Sequence, residues 1–271
     1  VDTSASGAPR PSDVWADGAA YEGYIGRWSR AVAREFLGWL AVAPNGRWLD
    51  VGCGTGALSQ AILDRAEPAA VRGVDRSAAY VAVARRQVPD PRAEFDTGDA
   101  SALPAEAAGY DAVVSGLVLN FVPEPAWAAA GMARAARAGG VVAAYVWDYA
   151  GKMQLLRHFW NAAAALDLSA LELDEGRRFP LCQPQALEDL FRAAGLRAVE
   201  ARAIDVATDF RDFDDYWAPF LGGQGPAPSY VMSLSEDRRA ALRERLRQSL
   251  PAALDGSIPL VARAWAVRGV G

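Results

Sequence analysis

The sequence predicts an α/β protein built on a doubly wound, mostly parallel sheet, and three observations lead there. Between residues 47 and 147 short apolar runs alternate with segments of helical spacing, the pattern of strands joined by crossover helices. Runs such as "DAVVSG" (111–116) and "GGVVAAYVW" (139–147) are nearly continuous in apolar and small residues, as in strands covered on both faces. The first run, "RWLDV", passes directly through three alternating glycines into a helical pattern.

Taken in order, residues 1–13 are small, polar and proline-containing and are expected to be disordered, with one domain over 14–271. A helix is expected from Trp15 to Leu40, where Trp28, Val32, Phe36 and Leu40 recur at three- and four-residue steps. Strands follow at 47–51, 70–75, 93–97, 110–115 and 140–147, with helices at 56–65, 78–87 and 125–137. Beyond Trp147 the rhythm changes. Helices are expected at 151–167, 185–194 and 235–249, and strands at 197–207 and 257–268. Two long inserts, 148–184 and 209–234, each follow a strand expected to be parallel. They belong at the carboxyl ends of the strands, where open α/β sheets bind ligands, and are expected to act as helical lids.

Composition narrows the class. The chain has 271 residues, 52% hydrophobic and 23% charged, enough for a full core. A net charge of −5 argues against nucleic acid as a partner. Lys152 is the only lysine, so the basic residues are almost all arginine. Cys53 and Cys182 form neither a disulfide framework nor a zinc cluster, and no metal is expected. No basic and apolar leader opens the sequence, and no window approaches the ~20 apolar residues of a membrane span. The expectation is a reduced, cytoplasmic protein without a membrane partner, monomeric or homodimeric.

Glycine-rich turns between a strand and a helix let backbone amides approach a nucleotide. Dinucleotide folds use G-x-G-x-x-G, but here the spacing is G-x-G-x-G at Gly52, Gly54 and Gly56, with Asp50 two residues before. A phosphate-binding P-loop is excluded, because no Lys-Ser or Lys-Thr pair follows. Asp50 would repel a pyrophosphate and suits a nucleoside that carries an ammonium group. Asp75 ends the second strand, placed to accept ribose hydroxyls, and Asp99 follows the third, placed to accept from an adenine amino group. Singly, each acid also reads as a strand-end cap.

With "LDVGCGTG", the "VD" strand end, "GDA" and "SGLVLNFVPEP" in order, residues 47–147 resemble the S-adenosylmethionine (SAM) binding core of class I methyltransferases, closest to the small-molecule group. The resemblance implies a Rossmann-like, seven-stranded sheet with an antiparallel last strand. It implies that Asp50, Gly52, Cys53, Gly54 and Gly56 shape the methionine and ribose pocket. Asp75, with Arg76 beside it, would hold the ribose, and Asp99 with Ala100 would read the adenine. Ser115 and Leu117 would flank the methyl donor, with Tyr21 and Arg27 of the N-terminal helix over the methionine end. The implied activity is in-line transfer of a methyl group to a small molecule. A SAM-binding lyase or cyclase is the alternative; a nicotinamide dehydrogenase is disfavoured by the glycine spacing and by Asp50.

The acceptor is less defined. The Asn-Pro-Pro-Tyr of methyltransferases that act on base or glutamine amino groups is replaced by "SGLVLNF", where Asn120 can orient a substrate but cannot take a proton. Proton removal is left unassigned, with His158 and Asp148 as the candidates. His158 lies on a polar stripe that faces water or the site, and Asp148 equally reads as a helix cap. Trp147, Tyr149, Trp217 and Phe220 would give an apolar, planar acceptor its surface. Arg239, Arg243 and Arg247 read as a solvated stripe partnered by Glu236 and Glu244.

Overall fold

The structure, a computed structural model, describes residues 26–100, 102–103, 109–222 and 225–271. The expected disorder at 1–13, the first part of the expected N-terminal helix, Tyr21 and the side chain of Arg27 lie outside the described residues. In chain order the elements are α1 (Arg27–Leu40), β1 (Arg47–Val51), α2 (Ala57–Arg65), β2 (Ala70–Asp75), α3 (Ala78–Gln87), β3 (Ala93–Thr97), β4 (Tyr110–Gly116), α4 (Pro125–Ala135) and β5 (Ala136–Trp147). There follow α5 (Gln154–Leu166), α6 (Glu175–Arg178), α7 (Pro184–Ala193), β6 (Arg197–Ala207), α8 (Phe213–Trp217), α9 (Pro226–Ser233), α10 (Glu236–Ser249) and β7 (Val261–Val270).

Contacts divide the chain into two compact units. The larger takes Ser29–Val146, Leu181–Ile204 and Ala264–Gly271; the smaller takes, of the described residues, 26–28, Trp147–Pro180 and Asp205–Arg263. The inserts expected at 148–184 and 209–234 fall mostly in the smaller unit, which also includes α10.

One seven-stranded sheet, ordered 3-2-1-4-5-7-6, organises the larger unit. β1 pairs in parallel with β2 and β4, β2 with β3, and β4 with β5, while the last strand runs antiparallel. The doubly wound sheet expected from the alternation is the one observed. Pro125 and Pro184 open α4 and α7 at positions where a missing N–H costs nothing, and the Ser77 hydroxyl caps α3 by accepting from the Tyr80 amide. Leu49, Val113, Val142 and Val267 of the strands pack with Met132 of α4 and Leu187 and Phe191 of α7 in one buried core. β5 begins at Ala136, four residues before the apolar run. Ala136 pairs with Tyr110 across an irregularity in register, which the polar and glycine-containing "ARAGG" does not signal.

The smaller unit is built on aromatic rings. Phe159 of α5 stacks on Phe220 at 4.5 Å between centroids, and Trp217 of α8 stacks on Phe213 at 6.5 Å. Tyr216 is wholly buried and donates its hydroxyl proton to the Leu155 carbonyl at 2.8 Å. The arginine stripe of α10 corrects the expected partners and not the expected solvation: Arg247 is exposed and Arg243 half-exposed, yet the contacts described are with other elements. Arg239 donates to the Val231 and Leu234 carbonyls, Arg243 pairs with Asp214 at 2.7 Å, and Arg247 lies over the Phe213 ring at 4.2 Å. The i, i+3 spacing of Glu236 to Arg239 and of Glu244 to Arg247 carries no information about partners on other elements.

Candidate functional site

At the carboxyl end of β1 the chain turns through three glycines with positive φ, +75° at Gly52, +54° at Gly54 and +91° at Gly56. Left-handed corners strain any residue with a side chain. Gly52 is doubly restricted, since a Cβ there would lie 2.6 Å from the Val118 methyls. A Cβ on Gly54 would meet nothing within 4 Å, so the middle of the loop has an open face. The Gly52 amide donates to the Val74 carbonyl at 2.7 Å, which ties the loop to β2.

Asp75 is the clamp. One carboxylate oxygen accepts the Gly54 amide at 3.0 Å and the other accepts the Ser77 amide at 2.8 Å. The side chain thus joins the glycine loop to the start of α3 while a lone pair remains on each oxygen. The Gly98 amide donates to the Asp75 carbonyl at 2.9 Å, so the turn after β3 is tied to the end of β2. This turn carries Asp99, exposed, and Ala100, half-buried; Arg76 is exposed beside Asp75.

Asp50 differs in every respect. It is 0% exposed, and it accepts the Ser59 hydroxyl of α2 on one oxygen at 2.7 Å. Its other oxygen is buried without a partner. Burial, reinforced by the nearby Asp75 charge, pushes its carboxyl up to about 7, with the Ser59 hydroxyl and amide offsetting part of the effect. Burial, followed by the Asp50 and Asp75 charges, raises Cys53 far above the usual thiol range, which fits a small loop residue and not a nucleophile.

Beyond β4, Leu117 adopts φ +64°, a conformation that costs a residue with a side chain roughly 1–2 kcal/mol and concentrates at functional sites. Its amide is held by the Tyr145 carbonyl at 2.8 Å. Ser115 is buried and donates its hydroxyl proton to the Val51 carbonyl at 2.8 Å, pinning β4 to β1. Asn120 is buried. Its amide nitrogen donates to the Cys182 sulfur at 3.6 Å, and its carbonyl oxygen has no partner. Ser59, Val118 and Cys182 were not singled out as site residues from sequence, because no periodicity links Ser59 to Asp50 or Cys182 to Asn120.

In the smaller unit the remaining candidates are packed. Both Asp148 oxygens accept backbone amides, from Gly151 at 2.8 Å and Lys152 at 2.9 Å. Its carboxylate therefore closes the turn that precedes α5, whose N-cap is Met153. His158 is half-buried, and burial lowers it below its ordinary value. The rest of its polar stripe is largely engaged within the unit: Gln154 accepts the Val261 amide at 2.6 Å and Arg157 pairs with the buried Asp174. Trp147, Tyr149, Trp217 and Phe220 are all buried; Phe220 is 0% exposed. Glu175, also unforeseen from sequence, is buried, accepts from the Trp160 indole at 2.5 Å, and is pushed up to about 7 chiefly by burial.

A left-handed glycine loop, acids at consecutive strand ends and a strained residue after β4 define a nucleoside-binding α/β protein. Comparison with known proteins narrows the class. A methyltransferase-domain family model matches residues 49–140. A demethylmenaquinone methyltransferase of Roseiflexus sp. (strain RS-1) is 31% identical over 180 residues, 61% of this chain and 74% of that relative. A ubiquinone biosynthesis O-methyltransferase of Hahella chejuensis is 36% identical over 108 residues, 39% of this chain and 44% of the relative. With several other curated relatives, too, the match spans less than half of the relative's length, 44% and 46% for two further demethylmenaquinone methyltransferases. Among solved structures, Haemonchus contortus phosphoethanolamine N-methyltransferase 2, in complex with S-adenosylhomocysteine, shares the fold with a TM-score of 0.56 at 18% identity, over 93% of this chain and 56% of that one. The chain belongs to the class I SAM-dependent methyltransferases.

The cofactor of that family is SAM. The residues present fit it: an open glycine corner, a strand-end acid with spare lone pairs, and a buried carboxyl oxygen without a partner. Among the described residues no group of acidic, histidine or cysteine side chains could hold a metal ion, and no helix is long and apolar enough to cross a membrane.

Proposed function

We propose that the protein transfers a methyl group from SAM to a small-molecule acceptor of apolar or partly aromatic character by in-line displacement. The observation that carries this reading is the Asp75 clamp, which holds the Gly54 and Ser77 amides together beneath a loop of left-handed glycines. When bound, the sulfonium supplies a methyl group already activated for displacement. The chain has to align the acceptor and exclude water. The remaining lone pairs of Asp75 accept the ribose hydroxyls. Asp99 and Ala100 read the adenine, and Ser115 anchors the strand end from which Leu117 meets the donor.

Asn120 orients the acceptor through its carbonyl oxygen. A general base is optional for such a transfer, and His158 is the remaining side chain proposed for it. The acceptors named by relatives, quinones and trans-aconitate, support a small molecule. The departure from Asn-Pro-Pro-Tyr after β4 supports one that is not a nucleic-acid base.

Two measurements test this. SAM and S-adenosylhomocysteine raise the melting temperature through binding linkage while NAD and ATP do not. Incubation with SAM and a panel of quinols, phenols and organic acids yields S-adenosylhomocysteine in step with a methylated product. Equal stabilisation by NAD would overturn the cofactor assignment; turnover of an acceptor without S-adenosylhomocysteine would overturn methyl transfer.

A further inference from the structure

Asp50 and Asp75 stand at the ends of paired strands, yet only Asp75 has the donors an ionised carboxylate needs. Asp75 accepts two backbone amides. Asp50 is wholly buried, takes the Ser59 hydroxyl on one oxygen, and leaves the other without a partner. The groups that face it are Ser59 from α2, the Asp75 carboxylate from β2 and the Cys53 thiol from the loop. In the sheet it lies between Gly73 and Val114, which bring no charge. Among the described residues no arginine or lysine acts on it. A buried carboxyl without a cation, beside a second acid, holds its proton.

We propose that Asp50 couples cofactor binding to a proton: its carboxyl is neutral in the free protein and releases that proton to solvent when SAM binds, and does so less fully for S-adenosylhomocysteine. The inference rests on the cofactor reading above. SAM carries a sulfonium and an ammonium against one carboxylate and is a net cation; S-adenosylhomocysteine lacks the sulfonium charge and is net neutral. In a water-poor site the added positive charge favours the ionised carboxyl. The shift of Asp50 to about 7 places the exchange near neutrality. By linkage, SAM affinity then rises with pH below that value, and the preference for donor over spent product rises with it.

Calorimetric titration of the full chain at about pH 6, where the ligand's own α-amino group is protonated, reads this directly. The binding heat is measured in two buffers of different ionisation enthalpy, with SAM and with S-adenosylhomocysteine. The expected result is a buffer-dependent heat equal to release of up to one proton for SAM, a smaller release for S-adenosylhomocysteine, and none for SAM with Asp50→Asn. The ratio of SAM to S-adenosylhomocysteine affinity should climb between pH 6 and 7, with a ceiling of about tenfold per pH unit. Heats for SAM that match in both buffers overturn the inference without recourse to any variant. Absence of SAM binding in every buffer overturns the cofactor reading, and this inference falls with it.

Discussion

Asp75 accepts two backbone amides, one from the glycine loop and one from the start of α3, so its removal loosens the loop as well as the ribose contact. Asp75→Ala is expected to abolish most of the thermal shift given by S-adenosylhomocysteine, through unpaired ribose hydroxyls and unpaired amides together. Asp75→Asn, which keeps one acceptor, should retain a fraction of it. A second substitution separates shape from charge. Gly52→Ala would place a methyl 2.6 Å from Val118 in a left-handed corner. It should lower stability by about 1–3 kcal/mol in urea unfolding and weaken cofactor binding, whereas Gly54→Ala, with open space around its Cβ, carries only the backbone strain. The order of glycines and acids was legible because strand ends and turns are local. The Ser59 and Cys182 partnerships were not, since they depend on which face of a helix or loop meets a distant strand.

At the scale of elements, β1 to β4 were read almost to the residue; in β4 burial on both faces writes itself as a nearly continuous apolar run, while β2 and the edge strand β3 were legible from their place in the strand-helix alternation. The inserts were read as lids from their position in the chain, but their aromatic residues form a packed core inside the smaller unit. An aromatic-rich stretch looks the same in sequence whether its rings face each other or a ligand. The two cases separate experimentally. Phe220→Ala is expected to cost roughly 3–5 kcal/mol of stability, the range for emptying a buried phenyl site, while Trp217→Phe conserves most of the packing and should cost under ~1.5 kcal/mol. Phe220→Ala with unchanged denaturation but lost acceptor turnover would return that ring to the role of a pocket wall.

For the whole molecule, Asp50 in the larger unit and Glu175 in the smaller one are wholly buried acids raised from 3.8 and 4.5 to about 7. Both bind more protons folded than unfolded between their ordinary values and about 7. Their contribution is therefore fully present below the unfolded values and is lost as pH rises toward and through 7. Each is worth roughly 3–4 kcal/mol across that window. Unfolding free energy followed from about pH 4 to pH 8 should fall less steeply in Asp50→Asn and in Glu175→Gln than in the wild type; parallel curves would show that neither acid is neutral when folded. The strand order 3-2-1-4-5-7-6 has another consequence. β7 lies between β5 and β6, so β6, although made earlier, has no neighbour in the sheet until Val261–Val270 arrive. On the ribosome the sheet therefore waits with an open edge at β5 and an orphaned β6, closing only when the last strand slides between them. That interval is when the nascent chain is most exposed to wrong pairing and to chaperones.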